Sequence, residues 1–258
     1  MESVDLGRHK IRIPVAHIEG QAPGPKMVIT GGMDGDEYAG IAAAYELIKK
    51  FSQKKKPFCG TLLVIPIVNI PGWKNRSSFN PDDGLYPKRL FPGTSGGKPT
   101  ERLVSWLAET ALAKADAWMD LHSAPLHEGI QPFLWTYETG EARISKLNRS
   151  LLEQSGAAFA VCEPASASAP AERNAASRCW YVLAESGARG EANPADVARH
   201  VYWAEKMMAV LGMTQQEKPA APFPTLLRSV TYLRAKEDGV WNLARPFSPH
   251  LSQGQPLG

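Results

Sequence analysis

Residues 24–50, GPKMVITGGMDGDEYAGIAAAYELIKK, decide the fold class. Met27-Val28-Ile29-Thr30 is a β-favouring run after the turn-forming Ala22-Pro23-Gly24-Pro25, and it stops at Gly31-Gly32. Ile41, Ala44, Tyr45 and Ile48 then recur at helical spacing, with Lys49 and Lys50 suited to the negative end of a helix. The same alternation extends outward. Residues 61–70 (TLLVIPIVNI) are continuously apolar, as a strand covered on both faces requires. Residues 100–114 read as a helix capped by Thr100, with Leu103, Trp106, Leu107 and Ala111 on one face. Ala117-Trp118-Met119 leads as a strand into Asp120-Leu121-His122. Residues 144–152 read as a helix, and 157–162 and 179–183 as strands, with Trp180 and Tyr181 in the sheet core. Residues 196–211 form a helix bounded by Pro194 and Gly212. Strands alternating with helices predict an α/β fold with a mainly parallel, buried sheet.

Two segments break the rhythm. Residues 71–99 are rich in Gly and Pro and aperiodic, so a loop of that length is either functional or disordered. Residues 163–175 are Ala/Ser/Pro-rich and read as mobile. The chain of 258 residues is predicted to divide into an α/β catalytic domain over 1–213, a linker at 214–225 (TQQEKPAAPFPT) and a β-rich start of a second domain at 226–258.

Composition narrows the function. Hydrophobic residues make up 43% and charged residues 21%, which supports a real core. Lys+Arg and Asp+Glu number 29 and 26, a net charge of +3, which leaves no footprint for nucleic acid but suits an anionic substrate. There is no apolar run of ~18 residues for a membrane span, and MESVDLGRHK lacks the apolar core of a secretory signal. Cys59, Cys162 and Cys179 are odd in number and far apart, which predicts a reducing, cytoplasmic location.

Sites in open α/β sheets gather beyond the carboxyl ends of strands. Three such ends carry polar groups here: Gly31-Gly32-Met33-Asp34-Gly35-Asp36-Glu37, Asp120-Leu121-His122-Ser123 and Ala184-Glu185-Ser186-Gly187. Asp34 and Glu37, three apart at a strand-to-helix junction, can face one point, and His122 can join them only through the fold. Two carboxylates and an imidazole suffice for an open zinc site. Acids in a first helical turn and Asp-Gly turns account for the same residues without a metal.

GPKMVITGGMDGDEYAGIAAAYEL, TLLVIPIVNIPG, RLFPGT, ADAWMDLHS and LAESGARGEANPADVARHVYWAEKMMAVLGM resemble, in order and spacing, the succinylglutamate desuccinylase/aspartoacylase family of zinc carboxypeptidase-like hydrolases. The resemblance implies a three-layer α/β/α domain with a mixed sheet, one zinc ion, and hydrolysis of the amide bond of an N-acyl amino acid or similar small acid. It implies Glu37 and His122 as metal ligands and Glu185 as the general base. Arg76 falls in the region of the arginine that polarises the substrate carbonyl. Arg89 matches the arginine that grips the substrate carboxylate, a task for a planar guanidinium.

The chain departs from the family at three places. The family's first histidine ligand is Asp34, and its Asp-Leu-Asn-Arg reads Tyr86-Pro87-Lys88-Arg89, so that Lys88 replaces a carboxylate-binding asparagine. The β-rich C-terminal domain, opening at Arg234-Ala235, stops at Gly258. A carboxylate oxygen of Asp34 lies as many bonds from Cα as a histidine Nδ1, so Asp34 can reach the same metal. With Asp34, Glu37 and His122 the zinc site sums to zero charge, which weakens its pull on water and favours harder metals such as Mn²⁺. Asp120 is placed to orient His122. Lys88 beside Arg89 predicts a strongly anionic ligand. The rival reading is a catalytically silent relative that binds a small anion or partner without turnover. The strand-like runs 230–233 and 239–243 lack partners, so this segment is expected to fold onto the main domain or pair with a second chain as a homodimer, anchored by Trp241 and Phe247; the alternative is that 236–258 is disordered.

Overall fold

A computed structural model describes residues 1–53, 57–215, 222–231, 233–240 and 252–254. The chain opens with a hairpin, β1 (Glu2–Asp5) and β2 (Lys10–Ile13), then β3 (Ala16–Glu19) and β4 (Ala22–Gly31). Helix α1 (Tyr38–Ser52) follows, burying Ile41, Ala44, Leu47 and Phe51. The apolar run at 61–70 divides. β5 covers Cys59–Ile65, and α2 covers Ile70–Asn75. Pro66 cannot donate to the ladder, while Asn69 accepts from the Gly72 N–H at 3.0 Å and Pro71 sits in the first turn, both helix-starting devices.

The aperiodic 71–99 segment holds a single-turn 3₁₀ helix, Pro87–Arg89, before α3 (Pro99–Trp106). Thr100 is not the cap of α3. Its N–H and hydroxyl both donate to Asp83, at 2.8 and 2.6 Å, so the cap comes from the loop. α3 passes into a π turn at Leu107–Ala111 and ends sooner than its pattern implies. Then come β6 (Ala117–His122), β7 (Phe133–Glu138), α4 (Ala142–Ser155), β8 (Phe159–Pro164), α5 (Pro170–Arg178), β9 (Trp180–Glu185), α6 (Pro194–Val210) and β10 (Thr225–Leu227). The segment read as mobile contains α5, whose Ala171, Ala175 and Ala176 are buried.

The eight-stranded sheet runs β10-β8-β7-β9-β6-β4-β5-β3. It is mainly parallel; β3 against β5 and β7 against β9 are antiparallel. Alternating side chains feed two cores. Met27, Ile29, Met119 and Val182 face a layer containing α1, α4 and α6. Val28, Trp118 and Tyr181 face a layer of α3, α5 and the β1–β2 hairpin. The result is a three-layer α/β/α domain with a mixed sheet. No helix among the described residues is long and apolar enough to cross a membrane.

After α6 the chain returns to the sheet, and Thr225–Leu227 pairs parallel with β8 at its edge. Val230, Thr231, Leu233, Gly239 and Val240 lie in no strand. Trp241 and Phe247 lie outside the described residues.

Candidate metal centre

The site is built on the carboxyl ends of β4, β6 and β9. Parallel register sets Thr30 beside Asp120 and His122 beside Glu185. The loop leaving β4 is pressed onto α2 at Gly35, where a Cβ would lie 2.2 Å from the backbone of Gly72 and Trp73. Only glycine fits there, and that contact fixes the neighbouring Asp34. Glu37 occupies the N-cap position of α1, yet its side chain caps nothing. Its Oε2 lies 2.8 Å from His122 Nδ1 and accepts from the Ser123 N–H at 2.9 Å.

Asp34, Glu37 and His122 each present one ligand atom, all within 4.8 Å of one another, and all three residues are buried. Behind the imidazole runs a buried polar chain. His122 Nε2 lies 3.0 Å from Asp120 Oδ2. Asp120 Oδ1 accepts from the Thr30 hydroxyl at 2.6 Å, and Thr30 Oγ1 accepts from Trp118 Nε1–H at 2.7 Å. A carboxylate on the far nitrogen fixes the tautomer and orientation of a ligating histidine.

Lys88 and Arg89 are consecutive but diverge, because a 3₁₀ turn sets neighbouring side chains about 120° apart. Lys88 reaches inward and its ammonium forms an ion pair with Asp34 Oδ2. Arg89 is exposed, its guanidinium 4.5 Å from the centre of the Tyr86 ring. Arg76 ends α2 in a left-handed conformation (φ 55°) and is exposed. It lines a 280 Å³ cavity with Asp36, Ser78, Tyr86, His127 and Glu128. Asp36, the residue before Glu37, accepts from the Ser78 hydroxyl at 2.7 Å. Glu185 ends β9, and the next residue is tied to α6: His200 Nε2 donates to the Ser186 carbonyl at 2.9 Å, while the Ser186 hydroxyl donates to Asp196 at 2.9 Å.

Crowding of acids sets the electrostatics. Burial, then the charge of Glu37, pushes Asp34 up to about 7. Burial, then Glu37 again, pushes Glu185 up to about 8. Burial alone would raise Glu37 as well, but His122, Lys88 and the Ser123 N–H outweigh it and hold Glu37 below its ordinary value. Burial would lower His122, yet Asp120 and Glu37 hold its imidazole above the ordinary histidine range.

These residues fit a divalent cation. Asp34 Oδ1 is buried with no hydrogen-bond partner among the described residues. That oxygen, a second carboxylate and an imidazole form a three-ligand set of the zinc type, oxygen-rich enough for Mn²⁺ as well. Thr30 and Ser123 are not among the residues that the sequence pattern marks as site residues. A hydroxyl inside the apolar run 27–31 was the signal for Thr30; Ser123 acts through its backbone and left none.

An α/β/α domain that converges acids and a histidine at its strand ends defines a candidate single-metal enzyme. The family model for the succinylglutamate desuccinylase/aspartoacylase catalytic domain matches residues 23–211, and the chain belongs to that family. A curated relative, the N-alpha-acetyl-L-2,4-diaminobutyric acid deacetylase of Halomonas elongata, is 24% identical over 256 residues, covering 96% of this chain and 73% of its own. Among solved structures, a succinylglutamate desuccinylase/aspartoacylase from Rhodobacter sphaeroides has a TM-score of 0.79 at 21% identity, covering 94% of this chain and 76% of that one. The product-bound ectoine utilization protein EutE from Ruegeria pomeroyi has a TM-score of 0.75 at 22% identity, covering 86% and 67%.

Proposed function

We propose that this protein is a metal-dependent hydrolase that cleaves the amide bond of an N-acyl amino acid or a similar small carboxylate. The observation that carries the reading is the buried Asp34–Glu37–His122 cluster, with its unpartnered Asp34 oxygen, on the catalytic domain of a deacylase family. Asp34, Glu37 and His122 hold the metal, with Asp120 orienting His122. Zinc is the assigned ion and Mn²⁺ the harder alternative. When bound, such a metal polarises a carbonyl and makes water more acidic.

The chain's own groups supply the rest. Glu185, lying in register beside His122, takes a proton from the attacking water and delivers it to the amide nitrogen as the C–N bond breaks. A carboxyl group raised toward neutrality suits both halves of that transfer. Arg76 donates to the carbonyl oxygen as negative charge develops there. Arg89 and Lys88 bind the substrate carboxylate. The substrate is a small anionic acyl amino acid, and the protein acts in the cytoplasm. The domain division at 214–225 and a homodimer through the C-terminal segment belong to the same proposal.

The test is amine release from N-acetyl and N-succinyl amino acids by protein reconstituted with zinc or manganese. Release should require the metal and disappear in Glu185→Gln. A metal-loaded protein that binds these acids without releasing amine would establish the silent-relative reading, which Asp34 and Lys88 favour by their departure from the family pattern.

A further inference from the structure

A cation of the protein itself reaches the ligand cluster. Lys88 Nζ rests on one oxygen of Asp34, a residue only 1% exposed, and the other oxygen is left without a partner. We propose that Lys88 is a built-in competitor of the metal: its ammonium neutralises Asp34 in the metal-free protein, and metal entry drives it off Asp34 and frees it for the anionic substrate. The inference rests on the metal-centre reading above and adds a role for this residue that the reading does not require.

One observation and two physical arguments favour competition over support. Two cations on one buried carboxylate repel strongly where little water screens them. The Lys88 side chain is 35% exposed, so its ammonium has a path outward that leaves the loop backbone in place. A lysine is also a flexible point charge without the fixed fork of arginine, and so can exchange partners. Arg89, one residue on, is exposed and lies over the Tyr86 ring at 4.5 Å, with no contact to Asp34 among the described residues. The metal-free pocket thus carries its own counter-charge for Asp34.

Zinc titration of the full chain by calorimetry tests this, comparing wild type with Lys88→Gln and Lys88→Met. Both variants should bind zinc at least about ten-fold more tightly. In an Asp34→Asn background, Lys88→Gln should change the affinity by less than about two-fold, because the contested carboxylate is gone. Unchanged or weaker zinc binding in the single variants overturns the competition while leaving the metal centre standing. So does an equal gain in the Asp34→Asn background, which would make Lys88 a general repulsive charge. Absence of zinc binding in wild type and variants alike removes the metal centre and this inference with it. Wild-type protein provides a check that needs no substitution. Labelling of Lys88 by an amine-reactive acylating reagent, read by peptide mass spectrometry, should speed up at least about five-fold when zinc is added; unchanged or slower labelling overturns the proposal.

Discussion

Thr30→Val tests the polar chain behind His122 most sharply. Valine matches threonine in shape, so no cavity forms; only the hydroxyl is lost. That hydroxyl donates to Asp120 Oδ1 at 2.6 Å and accepts from Trp118 Nε1–H at 2.7 Å, both fully buried. The substitution leaves two buried groups unpaired. Each costs about 1–3 kcal/mol, with the charged carboxylate toward the upper end, which gives a loss of about 3–5 kcal/mol. For a domain of ordinary stability that is a large fraction of the total. Asp120 also loses the bond that aims its other oxygen at His122 Nε2, 3.0 Å away. Zinc affinity should therefore fall about 10–100-fold, the usual cost of removing such an outer partner. Urea unfolding of the metal-free protein and a zinc titration give the two numbers. Thr30→Ser keeps the hydroxyl and should preserve zinc affinity at a stability cost of about 1 kcal/mol. A Thr30→Val protein that loses less than about 1 kcal/mol and binds zinc like wild type would refute the role assigned to this chain.

Four further outcomes follow from the same geometry. Glu185→Gln should lower turnover by about 10²–10⁴-fold, the range for a lost general base, while calorimetry still finds zinc bound with wild-type affinity. Arg89→Ala should weaken substrate binding by about 1.5–3 kcal/mol, read as a rise in KM with little change in kcat. Asp34→His replaces a carboxylate by an imidazole, a donor soft enough to suit zinc, so zinc should bind more tightly, and the more positive centre should raise turnover at pH 7; lost zinc binding would mark Asp34 as a ligand tuned to this site. Metal-free protein should lose stability through Glu185 as pH rises from about 4.5 to about 8. Glu185 keeps its proton to about 8 in the folded state, against 4.5 as the ordinary value, so the folded state binds more protons across that window. Buried His200, held down to about 4, acts in the opposite sense, so chemical denaturation between pH 4 and 8 compares wild type with Glu185→Gln; a wild-type slope no more negative than the variant's contradicts the assignment.

Much of the fold was legible because the chain alternates periods cleanly. Residues 27–30 and 117–119 show their strands through apolar runs, and the residues just beyond them mark the site because parallel neighbours end together. β7 has no such signal: residues 133–138 enter the sheet antiparallel beside β9, which no strand–helix alternation announces. α5 was hidden by an Ala/Ser/Pro composition that looks mobile. Its small residues, however, are what let a helix lie close against β9. The 71–99 segment stands out by its Gly/Pro content and lack of period, but no pattern in it encodes which way Lys88 points. Lys88 and Arg89 have the same charge, and only the 3₁₀ turn sends one inward and the other out. The partnership of Thr30 with Asp120 is set by register between strands 90 residues apart, which the local pattern does not encode.

The central claim is that Asp34, Glu37 and His122 hold one divalent metal ion. Its most direct test is metal content per chain, by elemental mass spectrometry after zinc loading and exhaustive dialysis, for wild type and His122→Asn. The account predicts about one zinc per wild-type chain and almost none in the variant, with both proteins folded. A wild-type chain that retains no zinc after loading, or a His122→Asn chain that retains a full equivalent, would contradict it.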